Sequence, residues 1–181
     1  MSSVSRARSG ERAGRGLTWA AYSAAACALL FAAVSLYWAL GGTTGLRTVG
    51  AEAERLGRAR DTQVMVAVWA ATVLKVVGAV LALALVRPWG RTVPRRVLLV
   101  ASWGAAAVLT LYGGVLVTMA ALVETGIFDV SEPVDWTAMR WHLALWDPWF
   151  VVWGVILGLA ARQYTRMPTA EDRSVGDGAG G

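Results

Sequence analysis

The sequence is poor in the residues that do most protein chemistry. It has one cysteine, Cys27, one histidine, His142, and one lysine, Lys75, against sixteen arginines. A lone cysteine excludes an intramolecular disulfide, a Cys-x-x-Cys redox pair and a thiolate metal cluster. A lone histidine excludes a His-rich metal site, and no serine or cysteine stands in a recognisable nucleophile and base arrangement. "GGTTG" at 41–45 lacks the Gly-Lys-Ser/Thr ending of a phosphate-binding loop and follows an apolar run rather than a strand, so it reads as a helix stop and turn. No catalytic residue, metal or cofactor is therefore expected.

What is abundant is apolar sequence. Of 181 residues 56% are hydrophobic, mean hydropathy is +0.51, and the apolar residues lie in long runs. A hydrocarbon core about 30 Å thick needs roughly 20 apolar residues in a helix, and four stretches meet that, at about 17–40, 62–86, 97–123 and 143–164. The first is too long, and ends in too bulky an "LYWAL", for a cleaved signal peptide. The expected fold is all-α, a four-helix transmembrane bundle running up and down as one membrane domain over 17–166. Residues 1–16, basic and without apolar periodicity, and the polar stretch 167–181 are expected to be disordered tails.

Arginine placement sets the expected orientation. The N-terminal tail, the "RPWGRTVPRR" connection and the C-terminal segment together hold eleven basic residues, and the other side holds five. By the positive-inside rule both termini are cytoplasmic, in a multi-pass protein of the cell membrane. The formal charge of +5 is spread between apolar runs, which argues for lipid headgroups and against nucleic acid as the partner. Arg87, Arg91, Arg95 and Arg96 are candidate contacts for anionic lipid, although setting topology is a sufficient role for them. A homo-oligomer or a second membrane protein is the remaining partner class.

Two charged residues fall within spans. Lys75 lies about 20 Å below the outer end of its helix, too deep to snorkel, on a face shared with Ala71, Thr72, Gly78, Ala79 and Ala82. Either it lines a ligand or proton path, or it is a structural pair or a lysine in a wet gap. Asp147 shares a face with Gly154 and Gly158. A helix starting at Pro148 would be too short to span, so Asp147 lies inside the last span and Pro148 removes a backbone hydrogen bond there. Lys75 and Asp147 are expected to be coupled around a polar midplane gap, through Tyr112 or water if they do not touch. His142, Trp146, Trp149 and Trp153 form a separate stripe, for which a lipid-facing interfacial belt is the commoner role and an apolar ligand site the rarer one. The candidate ligand-binding set is thus Lys75, Asp147, Tyr112, His142, Trp146 and Trp149.

"LYWALGG" at 36–42, "TTGL" after it and "RWHLALWDPWFVVWG" at 140–154 resemble an uncharacterised family of small bacterial integral membrane proteins, a domain of unknown function with four predicted helices. The likeness extends over about 17–166, and Tyr-Trp-Ala-Leu-Gly-Gly is its most specific part. It implies a membrane location and a bundle fold, and carries over no reaction or ligand. Three functions are weighed: first a non-enzymatic bundle that binds a partner or lipid, next a small transporter or ligand-binding protein with a polar midplane site, and last an intramembrane lipid-modifying enzyme.

Overall fold

The computed structural model of the chain describes residues 2–128 and 134–167, with side chains from Thr18 onward. The helices are α1 (Ser2–Ala39), α2 (Ala51–Arg58), α3 (Thr62–Ala84), α4 (Arg95–Glu124), α5 (Trp136–Trp141) and α6 (Asp147–Thr165). A π-turn, His142–Trp146, joins α5 to α6 into a continuous helical path. Four stretches are long and apolar enough to cross a membrane: Thr18–Ala39, Thr62–Ala84, Arg95–Glu124 and Trp136–Thr165. No strand occurs among the described residues. The helical path of α1 includes residues 2–16, where composition predicts a disordered tail. The tail expected at 167–181 lies outside the described residues after Met167.

The spans run up and down and pack in the order α3, α1, α6, α4, with little contact between α3 and α4. The first and fourth spans are therefore the inner helices, with 44% and 28% of their most apolar windows buried, against 11% and 17% for the second and third. Small residues make this possible. Because lipid is as apolar as any side chain, helices in a bilayer associate through close packing rather than through escape from water. Ala20, Ala21, Ala24, Ala25, Ala28 and Ala32 of α1 are all buried, in a stripe that meets Ala79 and Ala82 of α3. As the sequence predicts, Thr72, Ala79 and Ala82 pack inward on the Lys75 face, and Gly78 receives the Trp153 ring. Gly154 does the same between α6 and α4: a Cβ there would stand 2.4 Å from Thr110 Oγ1 and 2.7 Å from Thr110 N.

Each connection is built from local chemistry. The helix stop at "GGTTG" is a Schellman turn, with Gly42 N donating to Tyr37 O (2.9 Å), Gly41 N donating to Trp38 O (3.0 Å) and Gly41 at φ +101°. Thr44 is then tied back to α1, accepting from Trp38 Nε1 at its carbonyl (2.9 Å) and from the Tyr37 hydroxyl at its Oγ1 (3.0 Å). Asp61 caps α3 by accepting from Gln63 N and Val64 N. At the opposite end Arg95 donates to the last carbonyls of α6, those of Tyr164 and Thr165, and to that of Met167 just beyond it.

The last helical segment differs from expectation at its start, which lies at Trp136 rather than near 143. Asp135 caps it, accepting from Ala138 N (3.3 Å). Pro148 does not begin the helix because the π-turn absorbs it. Asp147 N donates five residues back to His142 O, and the helix continues through Pro148, where no N–H exists to be satisfied. Asp147 consequently lies about 15 Å along the helical path from Trp136.

Candidate functional site

At the end of the bundle that carries the 41–61 connection, α5 and the π-turn stand against that connection and leave a cavity facing α4. Its volume is about 660 Å³, within the range of pockets that hold small molecules. Leu116, Met119, Ala120 and Val123 of α4 form one wall, Ala138 and Met139 of α5 the other, and His142, Asp147, Glu52 and Asp135 supply the polar groups.

The π-turn is what brings His142 and Asp147 together. In a regular α-helix, residues five apart point about 140° away from each other. With the five-residue hydrogen bond of the π-turn they share a face, and His142 Nδ1 lies 3.0 Å from Asp147 Oδ1. Asp147 is 3% exposed, a carboxylate buried in the bundle. The other imidazole nitrogen, Nε2, is 3.3 Å from the carbonyl oxygen of Val49. A carbonyl can only accept, so Nε2 is the donor to Val49, and Nδ1 is left facing the Asp147 carboxyl. The ring is fixed at both ends, and no free nitrogen remains for a ligand.

Two further contacts hold the wall in place. Trp146 Nε1 donates to Thr48 Oγ1 (3.2 Å), and Asp135 accepts from Arg47 and from Ala51 N (3.0 Å). With three donors on it, the guanidinium first, the Asp135 carboxyl is lowered from 3.8 to about 2. Glu52 is matched by Arg55 within α2.

The tryptophan stripe packs against α1, with Trp153 buried and Trp146 and Trp149 half-buried. Trp153 is 4% exposed. Trp149 Nε1 donates to Cys27 O of α1 (3.1 Å), and Trp146 stacks on Phe31 with centroids 5.8 Å apart. The π-turn takes His142 out of this stripe and onto the Asp147 face, whereas Trp149 and Trp153 lie in regular α6 and meet α1 through the packing of those two helices. Trp141, by contrast, is exposed.

Lys75 and Asp147 are not brought together. Lys75 Nζ donates to Ser35 Oγ of α1 (2.8 Å) and lies 4.3 Å from the Phe31 ring centroid, an arrangement in which a hydroxyl and an aromatic face take the place of an acid. Tyr112 packs edge-on against Phe150 and is half exposed, without a link to Lys75. Ser35, Phe31, Thr48 and the Val49 carbonyl escaped the sequence reading. Ser35 alone had a signal there, as the hydroxyl in the small-residue stripe of α1. Of the loop arginines, Arg95 serves the α6 terminus, while Arg87, which lies over the Tyr22 ring, Arg91 and Arg96 are exposed.

Four long apolar helices in an antiparallel bundle define a multi-pass membrane protein. The chain belongs to the DUF3995 family of proteins of unknown function, whose model matches residues 28–157, from the middle of α1 through the cavity to the middle of α6. No curated protein and no solved structure matches the chain.

Proposed function

We propose that the chain is a binding protein of the cell membrane, with both termini cytoplasmic, that holds a lipid-like amphiphile in the cavity between α4 and α5. The observation that carries this is the cavity itself. It is about 660 Å³, walled by Leu116, Met119, Val123 and Met139, and has on its lining His142 hydrogen-bonded to the buried Asp147. Apolar walls with a few placed polar groups are the usual form of a small-molecule site. The orientation rests on the arginine bias, which puts the cavity at the external end. Binding is favoured over chemistry because the polar groups at the site are engaged pairwise, as positioning contacts. Arg87, Arg91 and Arg96, exposed at the other end, are the arginines available to anionic headgroups.

The test is native mass spectrometry of the protein released from mild detergent, with Met119→Trp as the comparison. Met119 is half exposed on the cavity wall, so its replacement fills the site without disturbing the core. A retained adduct of lipid-like mass, lost in Met119→Trp at unchanged thermal stability, is expected. An adduct that survives the substitution, or a bare native protein, would count against the reading.

A further inference from the structure

Resting on that reading, we infer that the amphiphile held in the cavity carries no charge and is a neutral lipid, such as a long-chain alcohol or ester. The polar groups of the lining are already committed to one another. Asp147 faces His142, whose second ring nitrogen is on the Val49 carbonyl. Asp135 accepts from Arg47 and from two backbone N–H groups, and the exposed Glu52 is bound by Arg55. No lysine or arginine lines the cavity among the described residues.

Both signs of charge fare badly against that lining. An anionic head comes beside three carboxylates and finds no cation, and like charges brought together at a binding surface are strongly unfavourable. A cationic head finds carboxylates, but each is matched, so it gains a partner only by displacing one that is already in place. Either ion also gives up the water that solvated it, and an ionised group loses far more by that than a hydroxyl or an ester does. An uncharged head enters with the existing contacts intact. Recognition then falls to the apolar body, against the walls made by Leu116, Met119, Val123 and Met139. The two methionines suit a flexible chain, because an unbranched thioether adapts to the shape beside it.

Three probes with one decyl chain test this: decanol, decyl sulfate and decyltrimethylammonium, the last two keeping their charge at any working pH. Each is offered at equal concentration to the full-length protein in a neutral detergent, and bound ligand is counted by native mass spectrometry. Decanol should bind about tenfold or more tighter than either ion. Arg47→Met takes the guanidinium from Asp135, and in that variant the cation should gain on decanol while decyl sulfate does not. Should the variant fail to fold, the order of the three heads on the native protein still decides. Either ion binding as tightly as decanol, or a cation that gains nothing in folded Arg47→Met, would overturn the inference. If Met119→Trp still abolished binding in those cases, the cavity reading would stand without it. Failure of every probe to bind would instead remove the cavity reading, and this inference with it.

Discussion

Gly154 and Gly158 form one Gly-x-x-x-Gly pair on α6, yet alanine should have opposite effects at the two positions. At Gly158 an added Cβ would sit 3.6 Å from Ala106 Cβ, an ordinary van der Waals contact. At Gly154 it would meet Thr110 Oγ1 at 2.4 Å, Thr110 N at 2.7 Å and Ala106 O at 3.0 Å, and the latter two are backbone that cannot rotate away. Relief therefore requires α4 and α6 to separate by about half an ångström or more. A gap of that size forfeits about a quarter to a half of the dispersion contact across the seam. Since α4 and α6 form the most extensive helix pair in the molecule, the loss belongs at the upper end of overpacking costs, about 3 kcal/mol. Alanine's better helix propensity returns about 1 kcal/mol at either site. Gly154→Ala should thus be destabilised by about 2 kcal/mol and Gly158→Ala should be neutral or slightly stabilised. Thermal unfolding in detergent, followed by circular dichroism, compares them directly. Equal midpoints for the two variants would refute the close approach of α4 and α6 at Gly154.

Other expectations concern the polar contacts and the orientation. His142→Ala and Asp147→Asn should each lower the unfolding temperature, and the double variant should lose less than the sum, because both singles remove the same contact and His142→Ala also strands the buried Asp147; strict additivity would show that the pair is not coupled. The same cycle on Lys75→Met with Asp147→Asn should be additive, since Lys75 is held by Ser35 and Phe31. Because the Asp135 carboxyl is held at about 2 in the fold against an ordinary 3.8, its contribution is complete above pH 4 or so and is lost as pH falls toward about 2. Asp135→Asn should therefore flatten the acid side of the stability profile, and an unchanged profile between pH 5 and about 2 would contradict the tie to Arg47. Single cysteines at Arg91 and at Glu54 in a Cys27→Ser background should label from opposite sides of intact cells, with Glu54 reached from outside; equal labelling of both from outside would overturn the orientation.

The span count and the small-residue faces were legible in the sequence because each depends on local composition. A run of some 20 apolar residues is enough to span whatever lies beside it, and Gly78, Ala79 and Ala82 share a face by helical period alone. The GGTTG turn was legible for the same reason, since glycine at the end of a helix answers a local backbone demand that is met at Gly41. That Asp147 lies inside the last span followed from length alone, as soon as a helix starting at Pro148 proved too short to span, while how far inside depended on where the helix begins, at Trp136.

The partners of the polar residues were decided only by the tertiary structure. A helical wheel assumes one period, and five residues of π-turn at His142–Trp146 are enough to take His142 off the tryptophan stripe and set it against Asp147. Lys75 found Ser35 on α1, a residue 40 positions away whose hydroxyl is inconspicuous in an alanine-rich run. Which of three neighbouring helices a deep charge meets depends on the packing order α3, α1, α6, α4, and that order follows from the summed fit of many small side chains. Whether a residue falls within a span is a property of one helix and can be read from its sequence, whereas lateral neighbours belong to the assembled bundle.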